Sequence, residues 1–404
     1  MMLTQIAWRN VWRNKGRSLI VIMAMVIGTS STIFMMAFSW GMYDYRIKEA
    51  IEKESSHIQI HHPEYKDNFE PKFTIVDGEV LTAKLNADDR IKAFSNRIVT
   101  MGMAQSSRAS IGVRIIGVDP TSEDLTTSLS SSLTQGEYFT GTKGIPIVVG
   151  EKFAEKLKLG LKKKPVLQFQ DIHGNIVPVK VKIVGLYKTN NSMFDQMNVF
   201  IPADELRNLL KLGEGYNEIG ILLNDTKDVE TVKADYQKDS PSLVETWKES
   251  TPELALAIDS FDQAMLIIVF IFFLAVAFGI INTMLMAVLE RVREIGMLMA
   301  VGMNKTRVFF MFVFETIFLG LVGAPVGMLL GWALVAYFGH VGINLSMYGE
   351  GLSQMGFSNM VYPSLPTRQY INLGIEILII TLVSSLIPAR RSLKLNPASA
   401  IRKI

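Results

Sequence analysis

Apolar residues crowd the two ends of the chain and thin out in its middle. Leu19 to Trp40 (LIVIMAMVIGTSSTIFMMAFSW) carries no charge. Ala264 to Leu289 is apolar apart from Asn282 and Thr283. Val308 to Tyr337 holds Glu315, Pro325 and a glycine series, Gly320, Gly323, Gly327 and Gly331. Tyr370 to Ile387 is the shortest run and holds Glu376. About 20 apolar residues cross a bilayer as a helix, so the pattern predicts four membrane spans. The first run is longer than the apolar core of a signal peptide, and no small-residue cleavage site follows Trp40, so it reads as an uncleaved anchor. The glycines of the third span favour close helix packing. Glu315 and Glu376 are assigned to interhelical hydrogen bonding.

Between the first two spans the pattern changes to short alternating stretches. SSHIQIHH places Ile58 and Ile60 on one face and His57, Gln59 and His61 on the other, a half-buried strand. VRIIGV, IPIVV, PVLQFQ, VPVKVKIVGLY and MNVFI read as strands too. EKFAEKLKLG reads as a short amphipathic helix closed by Gly160, and ADELRNLLKLG as another. Interspersed strands and helices predict an α+β domain that could divide into two lobes. Span 1 runs without a breaker into YDYRIKEAIEKESS, and PELALAIDSFDQA leads into span 2 with helical spacing. Both spans are therefore expected to extend beyond the membrane as stalks.

Charge orients the spans. Arg9, Arg13, Lys15 and Arg17 precede the first, Arg291, Arg293, Lys305 and Arg307 separate the second from the third, and Arg390, Arg391, Lys394, Arg402 and Lys403 follow the fourth. The loop between spans 3 and 4 has only Arg368. Basic residues favour the cytoplasmic side, so both termini and the 290 loop are expected in the cytoplasm, with residues 41–263 outside. TQIAWRNVWRNKGRS has helical spacing, with Trp8 and Trp12 on one flank and Arg9, Arg13 and Arg17 on another, as suits a helix lying in the membrane interface.

Composition removes several kinds of chemistry. The 404 residues include no cysteine, which excludes disulfides, thiolate metal sites and cysteine nucleophiles. GxxxxGK[ST] is absent, so the chain has no loop of that type to cradle nucleotide phosphates. His57, His61, His62 and Glu64 invite a metal reading, but no HExxH occurs and adjacent strand residues point to opposite faces; structural or surface histidines are expected. No GxSxG, SxxK or paired-carboxylate pattern stands out, and a non-catalytic chain is expected.

The segment ERVREIGMLMAVGMNKTRV, residues 290–308, is unusual for a cytoplasmic turn. Its basic residues follow the orientation rule, but Glu290 and Glu294 are not required by it. Ile295, Met297, Leu298 and Val301 form an apolar stripe, and Gly296 and Gly302 permit tight turns or close approach. A short helix of this kind is shaped to fit a groove on another protein, and Met297, Met299 and Met303 suit a contact that repacks.

The stretch NTMLMAVLERVREIGMLMAVGMNKTRVFFMFVFET resembles the signature of the type VII ABC transporter permeases, the family of FtsX, MacB and the LolC/LolE lipoprotein-releasing permeases. AWRNVWRNKGRSLI is similar to the family's N-terminal amphipathic helix and IPARRSLKLNPASAIR to its C-terminal ending. IVVGEKFAEKLKLG and VKIVGLYKTNNSMFDQMNVFIP are similar to the periplasmic core of its MacB and LolC/LolE members, and SSHIQIHHPEY to the LolC/LolE branch.

The resemblance implies a division into an interfacial helix (1–18), span 1 (19–40), a periplasmic domain with stalk ends (41–263), span 2 (264–289), a cytoplasmic coupling helix (290–307), span 3 (308–337), a periplasmic loop (338–369), span 4 (370–388) and a cytoplasmic tail (389–404). It implies that Glu290, Arg291, Arg293, Glu294, Gly296, Ala300 and Gly302 dock on an ABC ATPase of the LolD kind. That partner would bind ATP and magnesium, and this chain no cofactor or metal. Its closure would be carried through the stalks, a mechanism called mechanotransmission. Replacing Glu290 and Glu294 by lysine is then expected to uncouple the ATPase.

Without a fused ATPase, and with a large outer domain, the chain is most similar to the LolC/LolE branch. That implies extraction of lipoproteins from the inner membrane and transfer to a periplasmic carrier of the LolA kind, with a second permease copy or paralogue, membrane lipids and no nucleic acid as the other partner expectations. Exposing three acyl chains of about 15 carbons would cost roughly 35 kcal/mol at about 0.8 kcal/mol per CH₂, so a greasy cleft is required. Met35, Met36, Phe38, Trp40, Met265, Ile268, Phe272 and Phe273 are its candidate lining. Export of the MacB type and FtsX-like regulation of periplasmic cell-wall hydrolases remain alternatives.

Overall fold

A computed structural model describes residues 2–140 and 144–393. It falls into two compact units, one drawn from Met1–Met42, Asp259–Asn344 and Met360–Ile404, the other from Tyr43–Ile258 and Leu345–Asn359.

Among the described residues, four helices are long and apolar enough to cross a membrane: Lys15–Ser55, Pro252–Glu290, Lys305–Val341 and Thr367–Leu393. Each overruns its apolar stretch, because polar flanks continue the hydrogen-bond ladder once the hydrocarbon ends. The first is α-helical through Glu49 and π-helical over Ala50–Ser55. The expected N-terminal helix is shorter than 1–18. It spans Met2–Arg13, Asn14 forms a bend, and Lys15 opens the long helix, so Arg17 belongs to span 1 and not to the stripe of Arg9 and Arg13.

Glycine spacing explains how the spans meet. A Cβ added at Gly323, Gly327 or Gly331 would come within 2.9 Å of Met25, 2.8 Å of Thr29 or 2.9 Å of Ile33 respectively, and one at Gly320 within 2.6 Å of Thr381. Three glycines at four-residue spacing thus form the groove that admits span 1 to span 3, a small-residue contact in which backbones approach closely. Glu376 departs from its assignment. It lies on the exposed face of span 4, because the residues of that helix that turn inward are Leu373, Ile377, Thr381 and Ser385.

The second unit is α+β. Its described strands are β1 (Ile58–His61), β2 (Ile91–Gln105), β3 (Ser110–Val118), β4 (Leu133–Gly136), β5 (Ile145–Gly150), β6 (Val166–Gln170), β7 (Ile176–Tyr187), β8 (Asn198–Pro202), β9 (Glu218–Leu223) and β10 (Leu243–Thr246). β2 serves two lobes. Ile91–Arg97 pairs with β9, continuing to β1 and β10, while Gly102–Gln105 pairs with β6. Pairings β2–β3, β3–β8, β8–β5, β5–β7 and β7–β6 then close a ring around a core that includes Ile115, Ile147, Phe153, Leu167 and Ile183. In the other lobe Ile58, Ile60, Ile219 and Ile221 pack under helices Gly78–Ala87 and Val229–Asp239.

Two local expectations change. β1 is buried on both faces, since Gln59 and His61 are covered as well. His57 Nδ1 accepts the backbone N–H of Leu223 at 3.0 Å, His61 stacks on Tyr65, and His62 stacks on Phe73. The helices Glu151–Leu157 and Ala203–Leu210 stop before the glycines expected to close them. Each ends instead in a lysine with left-handed backbone, Lys158 at φ 54° and Lys211 at φ 56°. That conformation is unfavourable for a side chain. It is offset by hydrogen bonds from Leu159 N to Ala154 O (2.9 Å) and from Leu212 N to Arg207 O (3.1 Å), which satisfy carbonyls of the last turn.

One buried charge cluster ties the sheet together. Arg97 on β2 donates from Nε and Nη2 to the two carboxylate oxygens of Glu123 at 2.8 and 2.9 Å, and from Nη1 to Glu218 at 2.9 Å. Arg114 on β3 donates to the other oxygen of Glu218. Burial pushes the Glu218 carboxyl up, but Arg114 and Arg97 outweigh it and hold the group down at about 2.

Candidate coupling segment

Span 2 ends at Glu290, and Arg291 turns the chain with φ −103° and ψ 14°. A separate helix covers Val292–Ala300, Gly302 follows with φ +102°, and Asn304 caps span 3 by accepting from Thr306 N. Gly302 is the position where the turn demands left-handed backbone, which only glycine takes without strain.

The apolar stripe read from the sequence divides between two faces. Ile295 is buried, and Met299 and Met303 pack with it against Val11, Met284, Val288 and Phe312. Met297 (49% exposed), Leu298 (36%) and Val301 (91%) face outward, with Arg293 and Ala300 beside them. One face anchors the helix and the other is presented. Gly296 is buried on the anchoring side.

The two glutamates are not free for a partner. Glu290 accepts from Arg17 at 3.2 Å, while Glu294 pairs with Arg13 and accepts from Arg291 Nε at 3.2 Å. Arg13 and Arg291 hold the Glu294 carboxyl below the usual range, Arg13 contributing most. Lysines at 290 and 294 would face Arg17, Arg13 and Arg291, so that double change disrupts the chain's own contacts before it tests docking. The partners lie far away in sequence, and charge alone could not name them. Arg291 is itself buried, its Nη1 reaching the two oxygens of Glu315 at 3.3 and 3.4 Å. Glu315 thus bonds between helices as assigned. The N-terminal helix meets span 3 through Trp8, whose ring stands edge-on to Phe318 at 5.4 Å.

The cleft candidates differ in exposure. Met35 is exposed, Met36, Phe38, Trp40, Met265, Ile268 and Phe272 are half-buried, and Phe273 lies in a core with Ile33, Ala37 and Ala324. Bulk and membrane depth guided that choice, whereas helical phase decides exposure. The outward apolar face of span 2 is Leu266, Ile267, Phe270, Ile271, Leu274 and Phe278, which follow helical spacing but cannot be told from their neighbours in sequence because the whole stretch is apolar.

Four apolar helices, an α+β domain inserted after the first, and a short two-faced helix between the second and third define a multi-pass permease. The chain matches the MacB-like periplasmic core domain over residues 18–238 and the FtsX-like permease C-terminal region over residues 266–397. It belongs to the type VII ABC transporter permeases, the FtsX/MacB/LolC family.

Among its relatives is the uncharacterized ABC transporter permease MJ1507 of Methanocaldococcus jannaschii, 23% identical over 98% of this chain and 96% of that protein. The lipoprotein-releasing system transmembrane protein LolC of Neisseria meningitidis is 25% identical over 72% of this chain and 73% of LolC. The macrolide export ATP-binding/permease protein MacB 1 of Yersinia pestis is 22% identical over 98% of this chain, which spans only 60% of MacB. The ABC transporter permease YtrF of Bacillus subtilis is matched over 52% of its length. The crystal structure of the periplasmic region of MacB from Actinobacillus actinomycetemcomitans is similar at 11% identity and a TM-score of 0.35, covering 52% of this chain and 98% of that one. The four helices and the periplasmic-domain family fit a multi-pass inner-membrane protein. The ending SLKLNPASAIR lies, from Lys394 onward, outside the described residues.

Proposed function

We propose that this chain is the membrane half of an ATP-driven transporter whose ATPase is a separate subunit docking on residues 290–307. The observation that carries this reading is the presented face of Val292–Ala300 and its exit, where Arg293, Met297, Leu298 and Val301 stand exposed on a helix anchored by Ile295. An exposed apolar and basic face on a fixed helix suits a groove in a partner protein. Both termini are cytoplasmic by their arginines and lysines, the domain between spans 1 and 2 is periplasmic, and ATP and magnesium are bound by the partner. The long helices at the two ends of that domain transmit the ATPase stroke.

For the cargo, we propose lipoproteins, lifted from the inner membrane and passed to a periplasmic carrier by two permease chains. Similarity to LolC supports this, and the outward face of span 2, from Leu266 to Phe278, offers apolar surface for acyl chains. The match to MacB over 98% of the chain supports a second reading, export of a small molecule or peptide.

The test is to tag the chain in its native membrane, purify it in mild detergent and identify what accompanies it. An ATPase with acylated lipoproteins is the expected result. An ATPase with an adaptor and an outer-membrane channel moves the cargo to export. Purification with no ATPase under any nucleotide condition refutes the docking reading. Arg293→Glu with Val301→Asp should abolish ATPase retention while leaving the fold intact, since both side chains are exposed.

A further inference from the structure

We propose that Glu315 is a positioning residue for energy coupling, a buried carboxylate shared by two arginines so that helix Val292–Ala300 can shift without stranding its charge. The inference rests on the reading of 290–307 as the ATPase-docking segment.

Glu315 is 2% exposed, and two cations from different elements converge on it. Arg291, at the joint between span 2 and the short helix, donates from Nη1 to both carboxylate oxygens at 3.3 and 3.4 Å. Arg17, two residues into span 1, places Nη2 at 3.6 Å from Oε1, the same oxygen Arg291 approaches at 3.3 Å. That Nη2 is buried and has no hydrogen-bond partner among the described residues, although the rest of the guanidinium reaches Glu290 at 3.2 Å. One arginine would neutralise the carboxylate. Both stand slightly beyond the usual N–H···O range of about 2.7–3.2 Å, Arg291 the nearer, and Arg17 pairs with the carboxylate while leaving a donor unused.

The arrangement has a direction. Arg17 is fastened to Glu290, the last residue of span 2, and Arg291 to Glu294 on the short helix. The two arginines therefore grip opposite sides of the joint between residues 290 and 291. A displacement of the short helix that draws Arg291 away leaves Glu315 to close onto Arg17. Removing the partner of a buried charge is strongly unfavourable, so without Arg17 the joint would resist movement. With it, two pairings are available and the helix has two seats, the kind of discrete alternative through which a partner's stroke is transmitted.

The chain has no cysteine, so labels can be placed singly. Val292→Cys, half-buried at the start of the short helix and off its presented face, and Leu19→Cys (59% exposed) would carry spin labels on the short helix and on span 1. In nanodiscs with the co-purifying ATPase, the distance distribution is read with and without ATP, beside the ratio of ATP hydrolysis with a purified triacylated lipoprotein to hydrolysis without it. Arg17→Gln is expected to keep the nucleotide-free distance, lose the ATP-dependent second distance, and reduce the stimulation ratio at least fivefold. Arg17→Lys, which restores a cation, should recover part of both. If Arg17→Gln shifts and stimulates like the native chain while Arg291→Gln alone abolishes both, the pair is fixed and the exchange is refuted. If Arg17→Gln broadens the distance before any nucleotide is added, the role is structural and the inference also fails. Failure of the native chain to retain an ATPase would refute the docking reading instead, before any variant is compared.

Discussion

Two of the buried charge clusters among the described residues are built differently. In the α+β unit every nitrogen of the Arg97 side chain donates a hydrogen bond, at 2.8 to 2.9 Å, to carboxylates that are themselves 1% exposed. In the membrane unit Arg17, Arg291 and Glu315 meet at 3.3 to 3.6 Å, and one donor has no hydrogen-bond partner among the described residues. Both clusters are formed from distant parts of the sequence, and both centre on carboxylates at most 2% exposed. The first holds strands whose register must stay fixed, and its geometry is saturated. The second lies at a joint between helices, and its geometry leaves an alternative open.

The contrast breaks most directly at Arg97. Arg97→Met leaves Glu123 with no cation at all and Glu218 with only Arg114, and should cost about 3–5 kcal/mol. Hydrogen exchange of the full chain in detergent would show it as a collapse of protection in β2 and β9. Arg291→Met should cost less, about 1–3 kcal/mol, because Arg17 remains 3.6 Å from the abandoned carboxylate. Protection in the cytoplasmic half of span 3 reads that loss. Equal costs at the two arginines would erase the distinction between a lock and a shared partner.

How much of this could be read from sequence follows from the range of each interaction. The four spans were legible because a bilayer demands contiguous apolar residues, and so were β3, β5, β6, β7 and β8, because alternation is local. The segment 290–308 stood out for the same reason, as charge and glycine between two apolar runs. What was not legible was pairing over distance. Glu290 meets Arg17 across 273 positions and Glu294 meets Arg13 across 281, so two acids that looked free are engaged at home. The division of the stripe 295–301 into anchored and presented residues was hidden likewise, since it depends on where Val11 and Phe312 fall. Lys158 and Lys211 in left-handed backbone mislead for the opposite reason: a nearby glycine offered a plausible local stop that the tertiary contacts did not use.

A smaller effect sharpens the picture of the α+β unit through pH. His57 is buried, its Nδ1 accepts from Leu223 N, and burial, reinforced by Lys92, lowers its pKa from 6.5 to about 4. The unfolded chain binds a proton here below about 6.5, whereas the folded chain does so only near 4. Stability from this group is therefore full above pH 6.5 and is lost as pH falls toward 4, at about 1 kcal/mol per unit between pH 6 and 5. His57→Gln should flatten that slope for β1 and β9 and leave the membrane unit's protection unchanged. A slope unaltered by the substitution would mean that another group carries the acid sensitivity.

The smallest effect is expected where charge is not buried at all. Arg13 and Glu294 pair with side chains 56% and 48% exposed, in the same region as Glu315 but open to solvent. Water screens such a pair, and holding two long side chains in one geometry has an entropic cost, so Arg13→Ala should change stability by about 0.2–1 kcal/mol. Raised salt should shrink even that difference, while the Arg97 cluster, shielded from ions, should keep its strength. If Arg13→Ala were as damaging as Arg97→Met and insensitive to salt, burial would not be what separates the two kinds of ion group. The spacing argument for Glu315 would then have to be rebuilt on the N-terminal helix as the element that holds the joint.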